Sequence, residues 1–150
     1  MFLKYKLCGL KSFVWKTVHV SLSVEYIFYS ETKSVIVKIK EIAELTEARV
    51  VAGDPEKEIN IERAFSSDLM SDVLTLDDHQ IVLITGLANV QLIRTVEMAD
   101  IPVVLLSRNK IANPEMISLA EENGIVLLET PYSMFRVSGI LYENGLKPLY

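Results

Sequence analysis

The chain of 150 residues has a single cysteine, Cys8, so no internal disulfide can form and an intracellular setting is the expected one. Histidine is nearly as scarce. His19 and His79 stand apart, neither with partners at metal-ligand spacing, which argues against zinc or another bound metal, and no cofactor is expected. None of the six glycines builds G-x-G-x-x-G or G-x-x-x-x-G-K-[ST], so two common glycine-built phosphate cradles are excluded. Positive charge is in the minority, with 15 Lys and Arg against 20 Asp and Glu and a net charge of -5. Such a chain lacks the broad positive field that drives nucleic-acid binding, and DNA and RNA are not expected partners. Long apolar runs are missing too. No uncharged run approaches the roughly 20 residues that span a bilayer, and Lys11 and Lys16 interrupt the N-terminal sequence before a signal-peptide core can form. A soluble cytoplasmic protein is expected, without a membrane partner.

Half of the residues are apolar and 23% are charged, which predicts a packed core of one domain, with room for an appendage. A seam falls near Ser34. Residues 1–34 hold seven of the twelve aromatics and five lysines against two glutamates, whereas residues 35–150 hold ten basic and eighteen acidic residues. The two parts therefore carry +3 and -8. "VHVSLSVEYIF" alternates Val18, Val20, Leu22, Val24, Tyr26 and Phe28 with mostly polar neighbours, a period-2 strand pattern. Residues 1–34 then read in two ways: an added strand or hairpin, or a reading frame opened too far upstream of a natural start near Val35. The contrast in composition favours the second.

From Val35 onward short helical and strand patterns alternate. "VKIKEIAELTEA" sets Ile39, Ile42, Ala43 and Leu45 near one helical face. "RVVAGD" reads as a short strand ended by a glycine turn. "INIERAFSSDLM" starts with strand-like alternation at Ile59, Ile61 and Arg63 and runs into a short helix near Met70 to Leu76. "IVLIT", "IPVVLLS" and "IVLLET" are continuous apolar runs, the mark of strands buried on both faces. Between them, Leu92, Ile93, Val96 and Ala99 share a helical face. "NPEMISLAEENG" is punctuated as a helix by Asn113, Pro114, Glu115 and Gly124. Thr130 and Pro131 open a final helix through about Tyr142. Strands alternating with helices of about ten residues predict a small α/β domain: a mostly parallel sheet flanked by helices.

In such sheets ligands bind beyond the carboxyl ends of the strands. Three loops lie there: "TGLAN", "SRNKIAN" and "ETPYS". Their candidate ligand-binding residues are Thr85, Gly86, Asn89, Ser107, Arg108, Asn109 and Thr130. Exposed amides at helix N-termini, with Arg108 and Lys110 beside them, suit an anion. Gly86 is expected to serve the turn, and the centre of any site to fall one crossover later, at Ser107, Arg108 and Asn109. Asp77 and Asp78 read as a solvated turn, and Asp68 and Asp72 as water-facing charges on one helix. No nucleophile, base and orienting group assemble, so an enzyme is not expected. Tyr132, Met134 and Phe135 read first as core, with an apolar patch for a partner or second copy as the alternative.

From Val37 to Leu146 the sequence resembles the DRTGG domain. The likeness rests on "KIKEIAELTEARVVAGD", "VLITG" before a helix, "IPVVLL" before a loop, "NPEMISLAEENGIVLLETPYSMF" and "GILYENGL" in order. That family is named for an Asp-Arg pair after one strand and Thr-Gly-Gly after the next. Here Leu87 and Ala88 hold the first place and Ser107, Arg108 and Asn109 the second, so both signatures are absent. The departure suggests the stand-alone branch of the family. The resemblance implies a fold like the N-terminal domain of HPr kinase/phosphorylase and a regulatory, non-catalytic role. It further implies self-pairing as a homodimer. Contact with a protein partner, or a nucleotide or phosphorylated small molecule held at the loops, is the expected mode of action. Free-standing members often accompany iron-hydrogenase genes. Kinase chemistry does not carry over, because the phosphate-binding loop it needs is absent.

Overall fold

A computed structural model describes residues 36–150, all of which belong to one compact unit. The strand reading of Val18 to Phe28, Cys8 and the two readings of residues 1–34 lie outside the described residues.

In chain order the elements are α1 (Ile39–Leu45), β1 (Arg49–Ala52), β2 (Arg63–Ser66), α2 (Met70–Val73), β3 (Ile81–Thr85), α3 (Val90–Met98), β4 (Val103–Leu106), α4 (Pro114–Glu122), β5 (Val126–Glu129), α5 (Met134–Glu143) and β6 (Lys147–Pro148). They form one six-stranded sheet in the order β1-β5-β4-β3-β2-β6. Every pairing is parallel except that of β1 with β5.

Every residue of β3, β4 and β5 is buried. Because side chains alternate across a strand, each central strand feeds two cores. Ile81, Leu83, Val104, Leu106 and Leu127 join Leu92, Ile93, Val96, Met116 and Ala120 on the face covered by α2, α3 and α4. Val82, Ile84, Val103, Leu105, Val126 and Leu128 meet Ile39, Ile42, Val137 and Leu141 on the face covered by α1 and α5. Full burial of such a side chain contributes about 1.5–3 kcal/mol, so the three strands anchor both layers.

The connections explain this division. From β2 through β5 each crossover moves one place in the same direction, so crossovers of one hand place α2, α3 and α4 on one face. The return from β5 to β6 runs the other way, and α5 lies on the opposite face against α1. The loops after β4 and β5 therefore diverge to opposite faces. That divergence opens a crevice between the carboxyl ends of these strands, the place where ligands bind in open α/β sheets.

Local chemistry sets the element ends. Asn89, Asn113 and Ser133 cap α3, α4 and α5 by accepting the amides of Leu92, Met116 and Arg136. Gly124, at φ 65°, provides the left-handed residue that ends α4. Three expectations need correction. The final helix begins at Met134 with Ser133 as its cap, because the Thr130 hydroxyl is engaged elsewhere: it donates to the Thr46 carbonyl at 2.6 Å. The second strand begins at Arg63, since Ile61 makes only an isolated antiparallel bridge to Val37. Finally, α2 spans Met70–Val73 rather than running to Leu76, and because it begins at Met70, Asp68 precedes it and does not share a helix with Asp72.

Candidate functional site

Four loops meet above the carboxyl ends of β2, β3, β4 and β5, and their polar groups are bonded chiefly to one another. Asp68 stands at the centre, on the turn from β2 to α2. Its Oδ1 accepts the Gly86 amide at 2.6 Å and the Thr85 hydroxyl at 2.9 Å. Its Oδ2 accepts Nη2 of Arg108 at 2.7 Å. Burial pushes the Asp68 carboxyl up, but the bonds from Gly86, Thr85 and Arg108 outweigh it and hold the group below its ordinary value of 3.8.

Arg108 reaches Asp68 by lying across the backbone of Gly86. A Cβ at Gly86 would collide with the guanidinium. The backbone of Gly86 is not left-handed, so the expectation that this glycine serves the turn is corrected: it clears the path of the arginine.

The loop after β4 is unusual in its backbone. Arg108 and Asn109 have φ of 62° and 55°, and the Lys110 amide closes the turn on the Ser107 carbonyl at 3.2 Å. Two successive left-handed residues are the mark of a type I′ turn, which glycine and asparagine favour and arginine does not. Such strain, of about 1–3 kcal/mol per residue, persists where surrounding bonds hold it. Here the Arg108 amide donates to the Tyr132 carbonyl at 2.7 Å and the Asn109 amide to the Thr130 carbonyl at 3.2 Å. Ser107, buried, donates both its amide and its hydroxyl to the Thr85 carbonyl, at 2.8 and 3.1 Å.

The candidate residues thus divide. Thr85, Gly86, Ser107 and Arg108 gather around Asp68. Asn109 and Thr130 line the crevice between β4 and β5, together with Arg49, Lys110 and Glu129, around a volume of about 280 Å³. Asn89 is apart from both and caps α3. In the crevice wall, buried Glu129 accepts the Ala112 amide at 2.7 Å and Arg49 at 2.7 Å. Sequence reasoning missed Asp68. The available signal was its place in "FSSDL", directly after a strand and therefore in a carboxyl-end loop.

A wider hollow, of about 590 Å³, lies beside Asp77, Asp78 and His79, which the chain reaches before β3 begins. Asp78 there accepts the Gln80 amide at 2.9 Å and pairs with Arg63 at 3.1 Å, so its carboxylate serves the turn. Volume does not decide between the two places. The converging loops and the strained arginine do.

The Arg108 side chain is about half exposed (47%), and among the described residues only one of its five donors is engaged, with Asp68. The free donors, beside the Asn109 and Lys110 loop, suit a phosphate or carboxylate. Because Asp68 offsets the arginine's charge, an anion gains hydrogen bonds here more than net attraction. The hydroxyls of Thr85, Ser107 and Thr130 donate to Asp68 or to backbone carbonyls.

Fold and loops together define an α/β module that carries its polar site on strand-end loops. No protein-family profile and no curated protein matches the chain. Among solved structures it is similar to the CBS and DRTGG domains of the regulatory region of Clostridium perfringens pyrophosphatase, solved with the activator diadenosine tetraphosphate. The match has 15% identity and a TM-score of 0.62, and covers 81% of this chain and 56% of that one. This chain thus spans little more than half of that neighbour's length. The likeness supports a DRTGG-like fold.

Proposed function

We propose that the protein is a non-catalytic regulatory domain that takes a small anionic ligand, a nucleotide or phosphorylated metabolite, at the loop cluster. Its output passes through contact with a second copy or a protein partner in the cytoplasm. The observation that carries this reading is Arg108: a half-exposed side chain on a strained turn, its guanidinium held over Gly86 by Asp68. A residue fixed in that way is pre-organised for an incoming group, which lowers the ordering cost of binding. Two points support regulation over catalysis. The hydroxyls of Ser107 and Thr130 donate to backbone carbonyls, and the Asp68 carboxylate that accepts Thr85 is also tied to the Gly86 amide and Arg108. The structural neighbour, a regulatory region solved with a nucleotide activator, lends the class of ligand.

Thermal shift of the full chain against a panel of nucleotides and phosphorylated metabolites tests the reading. A ligand at 100 times its Kd raises stability by about 2.7 kcal/mol, and Arg108→Ala removes that gain. A flat panel, or a gain that Arg108→Ala leaves intact, rejects the site.

A further inference from the structure

We infer that the outer face of α5 is the contact between two copies of this chain, paired antiparallel across a two-fold axis beside Gly139. This deepens the self-association within the proposed function and does not depend on the loop ligand.

The observation that opens the question is Gly139. It lies inside α5, on its exposed side, and a Cβ built there meets nothing within 4 Å. Its φ is not left-handed. A glycine within a helix weakens it relative to alanine, and nothing among the described residues accounts for one here. Close approach by another backbone does.

The neighbours of Gly139 fit such an approach. Phe135, Ser138, Gly139 and Tyr142 fall at i, i+3, i+4 and i+7, one stripe of the helix. Phe135 is 90% exposed and Tyr142 67%, whereas Val137 and Leu141 on the inner face are buried. Large-small-small-large is the same pattern in either direction. When two copies cross antiparallel at Ser138 and Gly139, each Phe135 meets the other copy's Tyr142. A self-complementary stripe is what a two-fold interface requires.

Charge follows the same symmetry. Arg136 and Glu143 flank the stripe on one side, seven residues apart, and a two-fold axis keeps that flank on the same side in both copies. Arg136 of one copy then faces Glu143 of the other, twice. The stripe itself forms one wall of an apolar groove of about 440 Å³ between α5 and the β2–β6 edge, with Phe65 and Tyr150 on the other wall. It receives the aromatic side chains of the second copy.

Area sets the expected strength. At roughly 150–250 Å² per aromatic side chain, the exposed parts of Phe135, Tyr142 and Tyr150 offer roughly 400–600 Å² per copy, below the roughly 800 Å² of a standard interface. The pair belongs among the weak, reversible ones.

Sedimentation velocity of the full chain from about 1 to about 100 μM tests this, the range in which a micromolar Kd shows. The wild type is expected to pass from monomer to dimer. Gly139→Leu is expected to stay monomeric with an unchanged or raised Tm, because the substitution fills open space in the single copy. Phe135→Glu is expected to stay monomeric as well. Arg136→Glu weakens pairing, and adding Glu143→Arg restores it. A wild type that remains monomeric at about 100 μM, a dimer that survives both Gly139→Leu and Phe135→Glu, or a lowered Tm in Gly139→Leu overturns the inference. Ligand response at Arg108 is read separately and is expected to persist in Gly139→Leu.

Discussion

Arg108 lies across the backbone of Gly86, and the two residues are matched: a side chain of any size at position 86 would displace the guanidinium from Asp68. Gly86→Ala is therefore expected to remove the ligand response as fully as Arg108→Ala. The two substitutions are also expected to be non-additive, with Gly86→Ala close to neutral once Arg108 is gone. Denaturant melts of both single variants and the double variant measure the coupling, expected at about 0.5–1 kcal/mol for a half-exposed pair. Strict additivity would place the arginine elsewhere in solution.

Asp68 gives the fold an acid-sensitive contribution. Its carboxyl is held below the ordinary value of 3.8, so the native state binds this proton more weakly than the unfolded chain does. The stabilisation is fully present above the ordinary value and is lost as pH falls through the lowered native value. Asp68→Asn is expected to be less stable than the wild type near neutral pH, and the gap is expected to close below pH 3.8. Thermal melts of both proteins across that range check the sign. A gap that widened in acid would contradict it.

Asn89 separates architecture from binding. It accepts the Leu92 amide as the cap of α3, so Asn89→Ala is expected to cost about 1 kcal/mol. The thermal gain from a ligand held at Arg108 should remain. Loss of ligand response with unchanged stability would move Asn89 into the site.

Glu129 ties the crevice together. Its carboxylate accepts the Ala112 amide inside the protein and Arg49 at the rim. Glu129→Ala leaves that buried amide without a partner, at a cost of about 1–3 kcal/mol. Glu129→Gln, which keeps an acceptor oxygen, is expected to recover much of it. Arg49→Ala is expected to cost little, since its side chain is 71% exposed. Hydrogen exchange at the Ala112 amide provides the local readout.

Much of the fold was legible because the strong signals are local. The runs at Ile81, Val103 and Val126 are apolar without alternation, and a strand with helices on both faces requires that. Asn113, Pro114 and Gly124 punctuate α4 through chemistry that acts within one turn. The site was harder to read, because its defining contacts cross long stretches of chain. Nothing local to Asp68 shows that it will meet Gly86, eighteen residues on, and Arg108, forty residues on. The left-handed turn at Arg108 and Asn109 was equally hidden, since it is held by carbonyls from the next loop rather than by its own composition. The reading of Tyr132, Met134 and Phe135 as core or patch resolves residue by residue. Tyr132 and Met134 pack on the core, and Phe135 faces outward.

The amides of Arg108 and Asn109 hang from the carbonyls of Tyr132 and Thr130, and Ser133, the next residue, starts α5. The arginine turn and the aromatic stripe are thus joined by two hydrogen bonds and a few links of main chain, without crossing either core. A displacement of that turn would therefore be passed to the first coil of α5 directly, through those two bonds and the adjoining main chain.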